Sequence, residues 1–331
     1  MSERVVVVGA GGWGTAVALV ARSAGFQVRL WARRPEQAAE MSRDRENRAY
    51  LAGVPLPQDL EVVSDPASID DADRVVCAVP TQHVRATLQP MRSRIRRGTP
   101  VLSLSKGIEI GSLARPSEIL ESVLDAPKVP VLSGPSHAEE VARGLPTVVV
   151  AASREEAEAR RWQELSSSTL RLYTGDDPVG VEFAGALKNV MAIAAGIADG
   201  LGLGDNAKAA LVTRGIVEMA RLGTALGARR STFFGISGIG DLITSCTSRH
   251  GRNLRVGREV AAGRKAADVL KGMVAEGVWT CTAARELGRK HGIDLPITEE
   301  VCRILHEGKA PLEGLKSLMT RLPKSEAQDL G

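Results

Sequence analysis

VVVVGAGGWGTAVAL, at residues 5 to 19, is the stretch that decides the fold of the first half of this chain. The valine run predicts a buried β-strand, and the small and apolar residues after Gly14 predict a helix. Gly9 permits a tight turn between them, Gly11 lets a pyrophosphate approach the backbone, and Gly14 lets the helix pack closely on the strand. The stretch therefore predicts a dinucleotide-binding turn, with the phosphate charge at the helix N-terminus. A Gly-rich turn with a purely structural role is the alternative.

The residues after the second predicted strand select between the two nicotinamide dinucleotides. A site for NAD usually carries an acidic residue there, about twenty residues beyond the glycines, to bind the ribose hydroxyls. This chain instead reads WARRP, with Arg33 and Arg34. Two guanidinium groups can bind a 2′-phosphate through charge-assisted hydrogen bonds, so we predict NADPH as the preferred cofactor, with NADH tolerated. Two solvated arginines at the start of a helix are the alternative.

Short β-branched runs alternate with helical patterns throughout the first half of the chain. Their continuous apolar character is typical of parallel strands that are covered on both faces. The predicted strands are 5–8, 28–31, 75–79, 101–104, 129–132 and 147–151. Helical patterns occupy 15–24, 35–43 and 82–97. We therefore predict an α/β fold with an N-terminal Rossmann-like, doubly wound, mostly parallel sheet.

The second half of the chain loses the β pattern and reads as helices. The predicted helices are 182–198, 207–226, 253–262, 279–291 and 299–306. Glycine, aspartate and proline cluster at 176–180, which is typical of a domain boundary. We expect an NAD(P)-binding domain at 1–178 and a C-terminal all-α substrate and catalytic domain at 179–331.

The composition is that of a soluble globular protein large enough for two domains. Its 331 residues are 44% hydrophobic and 25% charged, and the formal net charge is +4. Such weak basicity suits anionic small molecules, and the 3% of aromatic residues argues against nucleic-acid binding. Because MSER runs directly into the first predicted strand, we expect no signal peptide and a cytoplasmic protein.

Cysteines and histidines give no sign of a metal site in the sequence. The cysteines lie far apart, without a CxxC pair or a matched histidine spacing, so we expect neither zinc nor a disulfide framework. The histidines show no HExxH pattern. Free thiols fit a reducing compartment. The cysteines are Cys77, Cys246, Cys281 and Cys302.

A single charge, Lys188, lies in the apolar stretch FAGALKNVMAIAAGIA at residues 183–198. Burying an ammonium without a partner is costly, so a lysine here needs a reason. The stretch is bounded by acidic residues and rich in small ones, which indicates a buried helix rather than a membrane span. We predict that Lys188 takes part in the chemistry, because burial favours the neutral amine, which acts as a base. Its neighbour Asn189 is the only uncharged polar side chain of the stretch. A lysine that snorkels off the helix edge is the alternative.

Several loops carry further candidates. Lys106 follows the carboxyl end of a predicted strand, the edge where ligands bind in open α/β sheets. Asp241, after two glycines, can cap a helix or orient an ammonium. Arg252 and Asn253 begin a predicted helix, whose dipole, guanidinium and amide suit a phosphate. Glu276 is either a solvated acid or a loop carboxylate near the cofactor.

Gly134 and Ser136 precede a helical pattern in SGPSHAEEVA. Ser136 with Glu139 has the spacing of a capping box, which by itself explains the serine. Gly134 also suits close approach of an anion or cofactor to a helix N-terminus. Spacing alone favours the structural role.

Together these motifs resemble one family, the bacterial NAD(P)-dependent sn-glycerol-3-phosphate dehydrogenases. The resemblance implies reduction of dihydroxyacetone phosphate to glycerol 3-phosphate, the backbone precursor of phospholipids. It covers nearly the whole chain, in the family's order. The motifs that carry it are GAGGWGTA, LWAR, SLSKGIE, SGPSHAEEVA, GALKNVMAIAAGIADGLGLGDNAKAAL, GISGIGDLITSC, GRNLRVG and AEGVWT.

The resemblance also implies contacts for individual residues, with Lys188 as the acid and base at the proton-transfer position. Asn189 then helps to position the substrate. The implied cofactor contacts are Gly12, Trp13, Arg33, Arg34, Lys106, Ala138, Arg252, Val274 and Glu276. The implied substrate contacts are Lys106, Gly134, Ser136, Lys188, Asp241, Gly251, Arg252 and Asn253. Gly12 and Gly251 depart from the family pattern, which commonly has serine at both places. We therefore expect only backbone contacts there.

Two other functions share parts of this pattern. A β-hydroxyacid dehydrogenase also combines a Rossmann domain, a helical domain and a Lys–Asn pair, but it acts on a carboxylate substrate. A nucleotide-binding redox sensor would bind the cofactor without turnover. Arg252 and Asn253 favour a terminal phosphate over a carboxylate. The expected partners are dihydroxyacetone phosphate or glycerol 3-phosphate and a second copy in a homodimer, without nucleic acid or stable membrane insertion.

Overall fold

A computed structural model of the chain describes residues 2–126, 128–248, 250–323 and 325–326. The chain divides into two compact units. The first unit comprises residues 1–105 and 115–178, and the second comprises 106–114 and 179–331.

The first unit is built on a sheet whose central strands are fully buried. Val5 to Val8 are all 0% exposed, as the continuous valine run predicts. The strands are β1 (Arg4–Val8), β2 (Gln27–Trp31), β3 (Glu46–Asn47), β4 (Leu51–Pro55), β5 (Glu61–Val63), β6 (Arg74–Cys77), β7 (Val101–Ser103), β8 (Val131–Ser133), β9 (Thr147–Ala152) and β10 (Leu170–Gly175).

Eight of these strands form one sheet in the order β10-β9-β8-β7-β6-β1-β2-β5. All neighbours are parallel except β8 and β9, which are antiparallel. The predicted doubly wound, mostly parallel sheet is therefore confirmed. Strands β3 and β4 pair separately and antiparallel. The helices of this unit are α1 (Gly12–Ser23), α2 (Pro35–Asp44), α3 (Val84–Leu88), α4 (Pro116–Leu124), α5 (Ala138–Ala142) and α6 (Glu156–Gln163).

One predicted helix, at 82–97, is wrong. The segment contains a 3-10 turn at Thr81–His83, the short α3, and a second 3-10 turn at Gln89–Met91. Pro90 lies in that second turn. Because proline lacks an N–H and its ring clashes with the preceding turn, a regular helix cannot continue through it.

The second unit is helical, as predicted, and α7 forms its core. All residues from Val179 to Ala198 are buried. By length and composition α7 could cross a membrane. However, 94% of its most apolar 18-residue stretch is buried inside the fold, as in the core helix of a soluble protein. The helices are α7 (Pro178–Gly200), α8 (Gly204–Ala225), α9 (Arg230–Phe233), α10 (Asp241–Thr247), α11 (Arg252–Ala261), α12 (Ala266–Val269), α13 (Gly277–His291), α14 (Pro296–His306) and α15 (Pro311–Met319), with a π turn at Ile236–Gly240.

Segment 106–114 corrects the division expected from the sequence, which placed it in the first domain. It groups with the helical unit. Ile108 is 0% exposed within the apolar core of that unit, together with side chains of α7. Lys106 forms an ion pair with Asp241 of α10. These contacts, both distant in sequence, hold the segment in the second unit.

Candidate active site

The Gly-rich turn lies at the carboxyl end of β1, and its geometry requires glycine at Gly9 and Gly14 as well as at Gly12, described below. Gly9 has φ +116°, and an added Cβ would lie 2.7 Å from the carbonyl oxygen of Ala78. At Gly14 an added Cβ would lie 1.9 Å from the carbonyl oxygen of Gly9. At Gly11, by contrast, a Cβ would meet nothing within 4 Å. The turn is therefore tight around Gly9 and Gly14, and open beside Gly11, where a pyrophosphate would approach.

Side chains that the sequence did not single out hold this turn in place. The carbonyl oxygen of Ala10 accepts hydrogen bonds from Gln37 Nε2 at 2.8 Å and from Asn47 Nδ2 at 3.1 Å. Asn47 Nδ2 also donates to Thr15 Oγ1 at 2.8 Å. Asn47 is buried in the short strand β3, far from the turn in sequence. The sequence signal for its role would have been a polar residue at a position expected to be buried.

Three other features of the first unit fit a dinucleotide. The N-terminus of α1 has no side-chain cap and no acidic residue in its first turn, so its N–H groups are suited to an anion. The indole Nε1 of Trp13 is buried and has no hydrogen-bond partner among the described residues. Arg33 and Arg34 are exposed just after β2, the neighbour of β1 in the sheet. Neither guanidinium forms a hydrogen bond or ion pair within the described part of the chain.

The departure at Gly12 has a local explanation. A Cβ at this position would lie 2.7 Å from the carbonyl oxygen of Tyr50, closer than real Cβ contacts. The same atom would lie 3.5 Å from Cβ of Ala138, the first residue of α5. The structure thus brings Ala138 beside the Gly-rich turn, and the path of the backbone at Tyr50 accounts for the missing hydroxyl.

The capping box predicted from Ser136 and Glu139 is wrong. Helix α5 begins only at Ala138, its N-cap residue is His137, and no side chain caps it. Ser136 Oγ instead donates to the carbonyl oxygen of Gly134 at 2.8 Å. Gly134 itself has φ +143°, a conformation that favours glycine. The turn after β8 therefore needs Gly134 for its backbone.

In the second unit, Lys188 and Lys106 share one buried carboxylate. Lys188 Nζ lies 2.5 Å from Asp241 Oδ1, and Lys106 Nζ lies 2.7 Å from Asp241 Oδ2. Lys188 Nζ also donates to Ser245 Oγ at 2.7 Å. Lys188 is therefore buried with two polar partners, and Asp241 orients its ammonium, which is one of the two roles considered for that carboxylate. Ser245 was missed, although it lies one helical turn after Asp241 on α10.

Burial and mutual charge determine the electrostatics of this group. Burial lowers the pKa of Lys106 to about 8, with Asp241 opposing and the Lys188 ammonium adding to the effect. Burial alone would raise the pKa of Asp241, but the two ammonium groups outweigh it and leave that pKa below its ordinary value. With all three groups ionised, the cluster carries a net positive charge that suits an anionic ligand.

A chain of amide hydrogen bonds connects the lysines to the start of α11. Asn189 Nδ2 donates to the carbonyl oxygen of Lys106 at 3.3 Å. Asn253 Nδ2 donates to Asn189 Oδ1 at 2.9 Å. The backbone N–H of Gly277 donates to Asn253 Oδ1 at 3.0 Å. The structure thus brings four residues from distant parts of the chain into one network.

Close helix packing makes that network possible. An added Cβ at Gly196 of α7 would lie 2.1 Å from the carbonyl oxygen of Leu254, and one at Gly257 of α11 would lie 2.1 Å from that of Ile193. Glycine on both helices lets the two backbones approach. The N-terminus of α11 is thereby fixed beside Asn189.

The remaining candidates lie around this network. Arg252 is the first residue of α11, and its exposed guanidinium forms no ion pair or hydrogen bond within the described residues. Gly251 is the N-cap residue, and α11 has no side-chain cap, as expected where serine is missing. Glu276 directly precedes α13, and Val274 is 37% exposed in the preceding turn.

Known proteins resemble this chain over its whole length. The family described as NAD-dependent glycerol-3-phosphate dehydrogenase matches with its N-terminal part at residues 4–159 and its C-terminal part at 177–316. Glycerol-3-phosphate dehydrogenase (NAD(P)+) of Moorella thermoacetica is 48% identical, covering 100% of this chain and 99% of its own. The enzyme of the same name from Geobacillus thermodenitrificans is also 48% identical, covering 99% of this chain and 98% of its own.

The fold agrees with these sequence relationships. The crystal structure of glycerol-3-phosphate dehydrogenase from Coxiella burnetii superposes with a TM-score of 0.93 at 36% identity, covering 97% of this chain and 99% of its own. The resemblance expected from the motifs is therefore confirmed: this chain belongs to the NAD-dependent glycerol-3-phosphate dehydrogenase family.

Proposed function

We propose that this chain catalyses the reversible, NAD(P)H-dependent reduction of dihydroxyacetone phosphate to sn-glycerol 3-phosphate. The observation that carries the proposal is the pair of lysines on Asp241, connected through Asn189 to the helix start at Arg252 and Asn253. An acid–base group and an anion site in one network are what a phosphorylated ketone requires. Membership of the family supports the same substrate.

Lys188 is the proton donor in this proposal. Two of its three possible hydrogen bonds go to Asp241 and Ser245, which fix the ammonium, and the third donor has no partner among the described residues. That donor is suited to the carbonyl oxygen of the substrate and protonates the developing alkoxide. In the reverse direction, neutral Lys188 takes the hydroxyl proton.

The phosphate is held by Lys106, Arg252 and Asn253 in this proposal. Lys106 offers an ammonium next to the reacting group, and Arg252 offers a guanidinium at a helix N-terminus. Asn189 and Asp241 orient the groups that contact the substrate, and backbone contacts at Gly134, Ser136 and Gly251 complete the set. Such positioning converts binding energy into a reactive geometry.

The cofactor is NAD(P), and we propose NADPH as the preferred form. When bound, the nicotinamide supplies the hydride. Gly9, Gly11 and Gly14 shape the turn for its pyrophosphate, and the exposed Arg33 and Arg34 suit a 2′-phosphate. The remaining contacts of the proposed cofactor site are Gly12, Trp13, Lys106, Ala138, Arg252, Val274 and Glu276.

We propose that the enzyme acts in the cytoplasm as a homodimer and supplies glycerophospholipid synthesis. The four free cysteines support a reducing compartment. The burial of α7 inside the second unit supports the absence of a membrane-inserted segment there. The mild net charge of +4 supports a small anionic substrate rather than nucleic acid.

Steady-state consumption of NADPH and NADH with dihydroxyacetone phosphate tests substrate and cofactor together. Lys188→Ala should lower kcat by roughly a hundredfold to ten-thousandfold, because the proton donor is lost, with nearly unchanged NADPH affinity. Lys290→Ala, at an exposed lysine of α13, is the matched control and should retain parental activity.

Each part of the proposal has an outcome that would overturn it. If the Lys188→Ala variant retained most of the activity, Lys188 would not be the proton donor. Turnover of 3-oxo acids in place of dihydroxyacetone phosphate would identify a β-hydroxyacid dehydrogenase. If the enzyme preferred NADH by about tenfold or more, Arg33 and Arg34 would not select NADPH through its 2′-phosphate.

A further inference from the structure

Helices α13 and α14 bring two cysteines and a histidine together at one point. The Sγ atoms of Cys281 and Cys302 and a ring nitrogen of His306 all lie within 4.8 Å of one another. Both thiols are 0% exposed, whereas the histidine is exposed. This cluster consists of soft and borderline ligands with an opening to solvent on one side.

The distances suit a single ion at the centre of the cluster. Cys281 Sγ lies 3.5 Å from His306 Nε2. Zinc bonds of about 2.3 Å to sulfur and about 2.0 Å to nitrogen, at tetrahedral angles, place such ligand atoms about 3.5 Å apart. Without an ion, Cys281 Sγ and His306 Nε2 both donate hydrogen bonds to the carbonyl oxygen of Val278, at 3.2 and 2.9 Å. This shared acceptor holds the two ligand atoms next to each other, and a metal ion would replace both hydrogen bonds.

Part of this pattern was readable in the sequence. Cys302 and His306 are separated by one helical turn and lie on the same face of α14. Cys281 belongs to the preceding helix, and only the packing of α13 on α14 adds it. The cluster contains neither a CxxC pair nor an HExxH motif, so these common sequence patterns do not identify it.

We propose that Cys281, Cys302 and His306 form a binding site for a divalent transition-metal ion of the zinc type, with water as the fourth ligand. Binding displaces the two thiol protons to solvent. The ring proton of His306 leaves Nε2, where it serves the bond to Val278, and Nδ1 takes up a proton instead, so that the neutral ring binds the ion through Nε2. Thr282 Oγ1, at 3.8 Å from Cys302 Sγ, is placed to support that sulfur from outside the metal shell. The reaction at Lys188 needs no part of this site.

A metal here would act on the structure of the second unit. It would fasten the first two turns of α13 to the last two turns of α14. The same part of α13 contains Gly277, whose N–H donates to Asn253. An ion at the cluster therefore braces the helix start that supports the proposed substrate site.

Metal binding is testable on the full chain after reduction and removal of metal. Titration with Co²⁺ should give thiolate-to-metal charge-transfer absorption that saturates at one ion per chain, and Zn²⁺ should displace the cobalt. Zn²⁺ should also raise the Tm. His306→Asn and Cys302→Ser should each weaken binding by at least about tenfold. His291→Asn, at an exposed histidine of α13, and Cys77→Ser, in the first unit, should bind as the parent does.

Other results would overturn the proposal. Equal affinity in the ligand variants and the controls would mean adventitious binding elsewhere on the chain. A disulfide between Cys281 and Cys302 in freshly isolated protein, with no metal bound after reduction, would identify a thiol pair instead. Because His306 is exposed, its variant keeps the test valid even if Cys302→Ser fails to fold.

Discussion

Asp241 is the residue on which the chemistry of the second unit converges. Its two oxygens hold two ammonium groups, and its side chain is only 2% exposed. A buried carboxylate between two cations is stabilised in its ionised form, which keeps both lysines oriented. Replacing it would leave two buried ammonium groups facing each other.

Lys106 should impose a pH dependence on substrate binding. Its pKa is lowered to about 8, first by burial. Below that pH the ammonium is charged and attracts phosphate; as pH rises through it, the charge is lost and KM for dihydroxyacetone phosphate should increase. Lys106→Met should lower kcat/KM by roughly tenfold to a hundredfold at neutral pH and should abolish this limb of the profile. A KM that is constant across this range in the parent enzyme would contradict the assignment.

Gly11 and Gly14 should respond differently to the same added methyl group. Gly11→Ala should leave the free energy of unfolding nearly unchanged, because a Cβ there meets nothing within 4 Å. It should weaken NADPH binding by roughly tenfold or more, since the methyl group occupies space near the pyrophosphate.

Gly14→Ala, at the tight position of the turn, is the matched comparison. Its Cβ would lie 1.9 Å from a backbone oxygen, so the free energy of unfolding should fall by about 3 kcal/mol. Urea unfolding and NADPH fluorescence titration separate the two effects. Unchanged NADPH affinity in Gly11→Ala would contradict the proposed cofactor site.

At the scale of secondary-structure elements, the local sequence pattern predicts strands and helices correctly where a run of residues is continuously buried. Strands β1 and β6 and helix α7 were predicted because their apolar runs are continuous, and these elements are buried almost throughout. Strand β10 was missed because its residues alternate between buried and exposed and it lies at a sheet edge. The helix predicted at 82–97 was wrong for the opposite reason. Its apolar periodicity suggested one continuous helix, although Pro90 interrupts it.

Long-range contacts explain why the candidate site was only partly predictable. Lys188 stands out by its apolar neighbours, and Asp241 is a candidate for orienting an ammonium, but no local pattern in the sequence pairs these two residues. The two residues are 53 positions apart and meet only through the packing of α7 and α10. The role of Asn47 and the link from Asn189 to Asn253 were inaccessible for the same reason.

Glu218 supports the N-terminus of α14 from the neighbouring helix α8. Its buried carboxylate accepts hydrogen bonds from the backbone N–H groups of Ile297 and Thr298, and from Thr298 Oγ1. Glu218→Ala would leave these donors buried without a partner, so the free energy of unfolding should fall by about 2 to 4 kcal/mol. Glu286→Ala, at an exposed position of α13, is the control and should change it by less than about 0.5 kcal/mol. Equal effects would exclude this supporting role.

At the scale of the whole molecule, the two ligands should protect different parts of the chain. In hydrogen exchange, NADPH should slow the amides of residues 9–16 most strongly, because the phosphate approaches the start of α1. Glycerol 3-phosphate should slow residues 251–255 and Gly277 in the second unit. The Lys188→Ala protein should keep the first pattern. Protection by glycerol 3-phosphate confined to the first unit would argue against the proposed phosphate site.

The short segment 106–114 has a consequence for engineering this family. It belongs to the second unit, yet the chain on both sides of it belongs to the first, so three peptide connections join the units, after residues 105, 114 and 178. A chimera of two relatives made by a single cut at 178 would take Lys188 and Asp241 from one parent and Lys106 from the other. Recombination that preserves the charged cluster must therefore exchange 106–114 together with 179–331.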